Sequence, residues 1–267
     1  MLREFGIKLS LKIAIFRDTL KCYRRLLIWE AGKHAAKIQK SNKEIGIHQK
    51  KIIGEDNRIE LVTGNFRNIT FSIYGRENFI HIEDGGCLKN VRFFINGSNN
   101  RIFVGKSDNI HRAEFTINGN GCTITLGDNN SFPSGPVAFC VSGDGSGIKI
   151  GNRNMFAWGG HNLTAEDGTI LSVGSECVFS NDVYVRTGDS HSIFDMTSGR
   201  KLNVAKDVHI GNRVWVAPCV RILKGASVKD DSVVGTNSVV TREFSEGNVV
   251  IAGTPAKIVR EHIYWKP

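Results

Sequence analysis

The chain has 267 residues, with 35 Lys and Arg against 26 Asp and Glu and a formal net charge of +9 at pH 7. This length fits one long domain or two shorter ones, so length alone leaves the domain count open. The six cysteines show no C-x-x-C spacing. That pattern excludes a disulfide scaffold and a paired-cysteine zinc site, and reduced thiols are the expected state.

All of the excess positive charge lies in the first 51 residues. They hold 13 Lys and Arg against 4 Asp and Glu, a balance of +9, whereas the rest of the chain holds 22 of each. Apolar residues and Trp29 alternate with these cations, which predicts a basic amphipathic helical segment over 1–51. No run there is long and apolar enough to span a bilayer, and no signal-peptide pattern is present. Two compatible roles remain open, a cap on the following domain and contact with a membrane surface or anionic polymer.

The next region carries a loose repeat of 22 residues. Ile73, Ile95 and Ile117 each begin an Ile-x-Gly triplet at that spacing. Each triplet is followed at the same offset by an alternating apolar pair: Ile80 and Ile82, Ile102 and Val104, Ile124 and Leu126. Alternation of this kind predicts a short strand. Three six-residue steps make one coil of about 18 residues, so a period of 22 predicts one coil plus a short outward loop.

A stricter repeat follows, with an aliphatic residue at every sixth position: Ile210, Val216, Ile222, Val228, Val234 and Val240. A period of six fits neither an amphipathic helix nor a single alternating strand. It is typical of a parallel β-helix, in which each hexad turns one corner and buries its apolar residue. We therefore predict an all-β protein with a solenoid over 52–253. A C-terminal turn and a short helix are expected over 254–267.

The hexad register breaks after Val185 and returns at Val204, which predicts an extruded loop over 187–203. Loops on a rigid scaffold often carry function. His191 lies near the centre of this loop, with Asp189 and Asp195 on either side.

Three segments of the final coils carry a resemblance to a known family: Ile210-Gly-Asn-Arg-Val-Trp-Val216, Gly235-Thr-Asn-Ser-Val-Val-Thr-Arg242 and Ala252-Gly-Thr-Pro-Ala-Lys257. They resemble the closing coils of left-handed β-helix, hexapeptide-repeat acyltransferases. The run Thr187-Gly-Asp-Ser-His-Ser-Ile-Phe-Asp195, with Trp215 placed 24 residues after the histidine, is similar to the polysialic-acid and capsule O-acetyltransferase branch. The resemblance is specific over about 140–257 and only architectural over 52–139.

The resemblance implies that His191 is the general base. A hydroxyl group is a poor nucleophile while protonated, and a neutral imidazole can accept its proton and return it to the departing thiolate. Either Asp189 or Asp195 could orient the imidazole, and the sequence does not choose between them. Trp215 is implied to line the acceptor and thioester site, with a buried subunit contact as the alternative.

Further residues are implied by position in the family. His161 or Asn162 would contact the acceptor or the oxyanion, with a turn-capping role as the alternative. Arg186 near the loop would suit an acidic polymer. Coenzyme A would lie along the outside of the coils between neighbouring subunits of a homotrimer. Its contacts would fall on Ala217, Thr236, Arg242 and Lys257, although Pro218 removes one backbone donor.

The sequence therefore predicts an acetyl-CoA-dependent O-acetyltransferase. Its acceptor would be a sugar hydroxyl of a capsular or other surface polysaccharide, acidic (for example sialic-acid-containing) or neutral. An acetyltransferase for a small hydroxyl or amine and a non-catalytic scaffold are the alternatives. No metal site and no nucleic-acid partner are expected, because the histidines are dispersed and known motifs are absent. A cytoplasmic location is expected, with residues 1–51 as a peripheral contact to the inner membrane.

Overall fold

The computed structural model describes residues 27–30, 46–62, 64–83, 87–106, 109–133 and 135–267. In this part of the chain the strands form a parallel β-solenoid of about eight turns with no helix. Each turn gives one strand to each of three sheets, which are the flat sides of the solenoid. The prediction of an all-β parallel β-helix is confirmed.

Each sheet of the described residues is a stack of strands along the solenoid axis. The first sheet contains β1 (Leu27–Glu30), β3 (Arg58–Leu61), β6 (Phe79–Ile82), β9 (Arg101–Val104), β12 (Thr123–Leu126), β15 (Gly147–Ile150), β18 (Ile170–Val173), β21 (Val208–Ile210) and β24 (Ser227–Val228). The second contains β4 (Asn65–Arg67), β7 (Cys87–Lys89), β10 (Asn109–His111), β13 (Ser131–Phe132), β16 (Met155–Phe156), β19 (Val178–Phe179), β22 (Trp215–Val216), β25 (Val233–Val234), β27 (Val250–Gly253) and β28 (Ala256–Arg260). The third contains β2 (Ile47–Ile53), β5 (Ile69–Tyr74), β8 (Arg92–Asn96), β11 (Ala113–Asn118), β14 (Val137–Ser142), β17 (His161–Glu166), β20 (Tyr184–Arg186), β23 (Arg221–Ile222) and β26 (Val239–Val240).

The core is a set of side-chain columns that run along the solenoid axis. Equivalent residues of successive coils lie in register, so that Phe71, Phe93, Phe115 and Phe139 are stacked with ring centroids 5.0, 4.9 and 5.2 Å apart. All four rings are fully buried. Aromatic pairs of this kind add about 0.5–1.5 kcal/mol each beyond the burial of their apolar area. This continuous core makes the solenoid a rigid support for whatever its corners and loops carry.

The corner between the third and first sheets is held by buried asparagines. Asn78 donates from Nδ2 to Asn57 Oδ1 at 2.9 Å and to the carbonyl of Gly97 at 2.9 Å. Asn100 repeats this arrangement one coil later by donating to Asn78 Oδ1 at 3.0 Å. Buried amides of this kind are tolerated because their donors and acceptors are satisfied by the neighbouring coils.

The predicted C-terminal helix over 254–267 is wrong. Ala256–Arg260 forms β28, which pairs antiparallel with β27 after the turn at Thr254 and Pro255. The backbone groups of β27 would otherwise be an unpaired sheet edge, and the hairpin satisfies them. The remaining residues, 261–267, contain no helix either.

The predicted N-terminal helical segment is wrong where the structure describes it. Leu27–Glu30 pairs antiparallel with β3 at the end of the first sheet, and Ile47–Ile53 pairs with β5 in the third. The solenoid therefore begins before residue 52, because strand pairing at its open end satisfies backbone groups that a helix would leave exposed. The rest of the predicted segment lies outside the described residues. Among those described, no helix is long and apolar enough to cross a bilayer.

Candidate active site

The chain leaves the solenoid after β20 and returns to it before β21. The two ends of this excursion meet where the backbone N–H of Lys206 donates to the carbonyl of Thr187 at 2.9 Å. Farther out, the N–H of Leu202 donates to the carbonyl of Ile193 at 2.8 Å, and Phe194 forms an antiparallel bridge with Lys201. The excursion, which we call the base loop, is therefore a hairpin with a closed neck at the corner between the third and first sheets.

Asp195 shapes the tip of the base loop. Its Oδ1 accepts hydrogen bonds from the backbone N–H of Ser198 at 2.7 Å and of Thr197 at 3.1 Å. These donors hold the pKa of the Asp195 carboxyl below its usual range, with the Ser198 N–H as the largest cause. Asp195 is thus engaged in the turn and has no hydrogen bond to the imidazole of His191.

A buried carboxylate anchors the neck of the base loop. Glu166, at the end of β17, accepts from the backbone N–H of Ser190 at 2.9 Å, from its hydroxyl at 3.0 Å and from Arg186 at 2.8 Å. Burial alone would raise the pKa of the Glu166 carboxyl, but the bonds from Ser190 and Arg186 outweigh it and hold that pKa below its ordinary value. Because Ser190 directly precedes His191, this cluster fixes the main chain at the start of the candidate base.

A second set of contacts fixes the other side of His191. Asn203 donates from Nδ2 to the carbonyl of His191 at 2.7 Å and to Asp189 Oδ2 at 2.9 Å, and its Oδ1 accepts from the N–H of Ile193 at 2.7 Å. Lys224 also bonds to Asp189 and, with Asn203, holds the pKa of its carboxyl below the usual range. Hydrogen bonds therefore hold the main chain on both sides of His191.

The side chain of His191 is exposed. Within the described part of the chain its ring nitrogens make no hydrogen bond, so neither Asp189 nor Asp195 orients it in a single copy. The imidazole lines a pocket of about 200 Å³, whose walls include Glu166, Asp167 and Lys201. A fixed main chain with a free imidazole is suited to accept a proton from a group that enters this pocket.

Three cations around the pocket form ion pairs. Arg186 bonds to Glu166 at 2.8 Å, Lys201 to Asp167 at 2.8 Å, and Lys224 to Asp189. Three cations thus face three carboxylates. Arg186 was predicted to bind an acidic acceptor; one of its terminal guanidinium nitrogens donates to both Glu166 and Ser190, and its Nε is buried without a hydrogen-bond partner.

The predicted contact of His161 with an acceptor does not fit its position. His161 is the first residue of β17 and is 3% exposed, with its ring edge-to-face with Phe156 at 5.7 Å. Its Nε2 lies 3.0 Å from the carbonyl of Ala157, and burial lowers the pKa of its imidazole. His161 is therefore a core histidine. Asn162, the next residue, points outward on the third sheet and accepts from the Thr164 hydroxyl at 2.6 Å.

Trp215 lies on a different side of the solenoid from His191. It is part of β22 in the second sheet, is 39% exposed, and donates from Nε1 to Ser180 Oγ at 3.2 Å. Its ring lies 6.1 Å from that of Trp265, whose own Nε1 donates to the carbonyl of Arg213 at 2.8 Å. A single copy of the chain therefore does not bring Trp215 and His191 into one pocket.

The four residues predicted to bind coenzyme A divide between two corners. Ala217 and Thr236 follow β22 and β25 at the corner between the second and third sheets, and Lys257 in β28 belongs to the hairpin above them. Arg242 follows β26 at the corner that carries the base loop, with its guanidinium over Phe244 at 4.9 Å. The N–H of Ala217 already donates to the carbonyl of Val234 at 2.9 Å, so it is not a free donor.

The comparisons with known proteins agree with the fold. The solved structure of the polysialic acid O-acetyltransferase OatWY is 28% identical, with a TM-score of 0.66 over 74% of this chain and 91% of that chain. The structure of the polySia-specific acetyltransferase NeuO is 25% identical, with a TM-score of 0.60 over 83% of this chain and 89% of that one. These likenesses support the resemblance of the chain to the hexapeptide-repeat acetyltransferases.

Two curated proteins are also similar to this chain in sequence. The polysialic acid O-acetyltransferase of Escherichia coli O1:K1 is 35% identical over 36% of this chain and 31% of its own length. The polysialic acid O-acetyltransferase of Neisseria meningitidis is 32% identical over 40% of this chain and 50% of its own length. The chain thus spans half or less of the length of these two relatives. No protein-family model matches the sequence.

Sequence reasoning missed Glu166, Ser190, Asn203 and Lys224, which hold the base loop in place. Glu166 lies in the coil that precedes the base loop, 24 residues before Ser190, and no local motif connects the two residues. Among the described residues no cluster of His, Cys, Asp or Glu could hold a metal ion.

Proposed function

We propose that this protein is an acetyl-CoA-dependent O-acetyltransferase that modifies a hydroxyl of a surface polysaccharide, with His191 as its general base. The observation that carries the proposal is the pinned main chain and free imidazole of His191 beside an open polar pocket. The names of the similar proteins, polysialic acid O-acetyltransferases and a galactoside O-acetyltransferase of Escherichia coli K12, support the reaction class and a sugar acceptor.

In this reaction His191 accepts the proton of the sugar hydroxyl as its oxygen attacks the thioester carbonyl. A carbon–oxygen bond forms, the carbon–sulfur bond breaks, and the imidazolium returns the proton to the departing thiolate. General-base assistance of this kind contributes about 10²–10⁴-fold to the rate. The anchors at Glu166 and Asn203 maintain the position of the imidazole, which favours the reactive geometry.

The complete site is proposed to form between copies of the chain in a homotrimer. Trp215, Thr236 and Lys257 lie on other sides of the solenoid than His191, so a neighbouring copy would supply them. The base loop also exposes large apolar side chains: Ile193, Phe194, Met196, Leu202 and Val204. Apolar surface of this kind is typical of a protein interface. Coenzyme A would then lie along the corner that carries Thr236, with Lys257 near its phosphates.

Charge pairing around the pocket bears on the acceptor. Because Arg186, Lys201 and Lys224 each bond to a carboxylate, the pocket is suited to a neutral part of a sugar, such as its hydroxyl groups. Asn162 would contact the acceptor on the outward face of the third sheet, four residues before Glu166 in β17. Both acidic and neutral polysaccharides fit this arrangement, provided that any acidic group is recognised elsewhere.

The test is release of free thiol from acetyl-CoA in the presence of a panel of acidic and neutral polysaccharides. We expect turnover with at least one polymer and a loss of about 10²–10⁴-fold in kcat for His191→Ala. His209→Ala is the matched control, because His209 is also exposed but lies on the first sheet, bonded to Ser172. Equal rates for His191→Ala and the wild type would refute the role of His191. Turnover with a small alcohol or amine alone would favour that alternative.

The N-terminal 51 residues are proposed to contact an anionic membrane surface, in a cytoplasmic protein that associates with the inner membrane. Their net charge of +9 supports this. The full chain should sediment with vesicles rich in anionic lipid at low salt and remain in the supernatant at high salt. Equal retention by neutral vesicles would contradict the proposal.

A further inference from the structure

A second groove lies in the N-terminal coils, away from His191. It occupies the corner at which the second sheet turns into the third, and its volume is about 390 Å³, compared with about 200 Å³ for the pocket at His191. Its walls are formed by Asn68, Asn90, Arg92, Arg112, Ala113, Glu114 and Pro136. We call it the corner groove.

The solenoid repeats cations along the corner groove. Arg67 ends β4 and lies in register with Lys89 at the end of β7, which in turn lies in register with His111. Successive coils are about 4.8 Å apart, the spacing of neighbouring strands. Arg92 and Arg112 line the groove itself, beside this column.

These cations are unpaired, in contrast to Arg186, Lys201 and Lys224 beside the pocket at His191. Within the described ranges no carboxylate lies within ion-pair distance of Arg67, Lys89, Arg92 or Arg112. The one carboxylate that lines the groove is Glu114, which is in register with Arg92 but forms no ion pair with it. Four cations against one carboxylate leave a local surplus of three positive charges.

We propose that the corner groove binds a carboxylate-bearing sugar polymer and holds the acceptor chain at a distance from the reacting hydroxyl. Guanidinium groups can bind carboxylates in a bidentate manner, and a row of cations at regular spacing matches a polymer with repeated acidic groups. This inference rests on the proposed function, because it assumes an acidic polysaccharide acceptor. It also explains how an acidic acceptor is recognised although Arg186, Lys201 and Lys224 are already paired.

The direction of the corner supports this role. The same corner continues coil by coil from Arg112 to Ala217 and Thr236, which follow β22 and β25. Trp158, 71% exposed, stands at this corner between the two regions. A polymer bound in the corner groove and extended along the axis therefore passes toward the region proposed for the thioester.

The test compares direct binding and turnover for matched variants. The first carries Arg92→Gln and Arg112→Asn, since Arg112 has a φ of 62° that asparagine adopts readily. The second carries Arg67→Gln and Lys89→Gln, in case the first does not fold. The control carries Lys149→Gln and Lys229→Gln, which remove the same charge from exposed positions elsewhere. Binding of long polysialic acid is measured without acetyl-CoA, next to carboxyl-reduced polymer and a sialic acid dimer.

We expect each groove variant to bind the long acidic polymer about tenfold more weakly, as two exposed ion pairs would predict. The control should bind the long acidic polymer as tightly as the wild type does. The carboxyl-reduced polymer should bind neither to the wild type nor to the control. In turnover the KM for long polymer should rise with kcat unchanged, while the KM for the dimer stays constant. Equal binding by the groove variants and the control, equal binding of the reduced polymer, or no binding by the wild type would each overturn the proposal. A wild type that binds the polymer but releases no thiol would refute the proposed function and leave the groove supported.

Discussion

Glu166→Gln is the substitution that tests the anchoring of the base loop. The carboxylate is buried and accepts three hydrogen bonds, two from Ser190 and one from Arg186. A glutamine keeps the shape and one acceptor oxygen but removes the charge, so that Arg186 loses its ionic partner. Breaking a fully buried ion pair costs about 3–5 kcal/mol. Since the Arg186 side chain is 34% exposed and solvent compensates in part, we expect about 2 kcal/mol.

The same loss should appear in catalysis. If the lost stabilisation of about 2 kcal/mol acts on the equilibrium between a closed and an open base loop, the ratio of the two forms changes about 30-fold. We therefore expect kcat to fall by up to that factor, with the KM for acetyl-CoA little changed. The assays are urea unfolding and thiol release.

Glu176→Gln is the matched control, because Glu176 forms an exposed ion pair with Arg153 far from the base loop. It should leave both stability and kcat as in the wild type. The reasoning is refuted if Glu166→Gln is as stable and as active as this control, since the three bonds would then contribute nothing that solvent does not replace.

Three further outcomes are expected from the contacts of the base loop and the C-terminal hairpin. Because the pKa of Glu166 is depressed in the folded protein, the stability that its carboxylate contributes should be complete above the ordinary carboxyl pKa of about 4.3 and lost as the pH falls through the folded pKa. The difference in unfolding free energy between the wild type and Glu166→Gln should therefore shrink as the pH is lowered from neutrality through that range. A constant difference would contradict this expectation. Gly188→Ala should cost about 1–3 kcal/mol and reduce kcat, since its Cβ would lie 2.3 Å from Glu166 Oε2. Gly160→Ala is the control, because its φ is not positive and its Cβ would meet no atom closer than Asp182 Oδ1 at 3.8 Å. Trp265→Ala should lower the free energy of unfolding by about 1 kcal/mol, whereas Trp265→Phe should retain the ring contact with Trp215 and lose only the bond to Arg213. Equal free energies of unfolding for the wild type and Trp265→Ala would disprove the pairing.

The hexad pattern predicted the fold because every coil has the same requirement. An inward position such as Val216 or Val234 must be apolar wherever the chain turns a corner, so the period is visible in the sequence. The hairpin at Ala256–Arg260 has no such requirement. Its pairing with β27 depends on an open sheet edge, which a local pattern does not reveal.

His161 shows where the candidate site was wrong although the sequence contained the signal. Leu163 and Ala165 alternate with it along β17, and all three are buried on the same side of the strand. Alternation from these two apolar residues places the imidazole inside. Glu166 is the opposite case. Its place beside Ser190 results from the stacking of coils, and nothing in its local sequence indicates it.

The separation of His191 from Trp215 makes oligomeric state decisive for both proposals. The corner groove and the base loop lie at opposite edges of the third sheet, where a strand such as β17 has six residues and spans about 20 Å. A monomer would therefore hold the acidic polymer at one corner and the free imidazole at the other. In a trimer the base loop of one copy can meet the corner of the next, and Phe194 and Met196 supply exposed apolar surface for that contact. Light scattering of the wild type should give a trimer, and Phe194→Ser with Met196→Ser should give a monomer without turnover. A monomer that retains full turnover would show that one chain is sufficient, and the shared site would have to be abandoned.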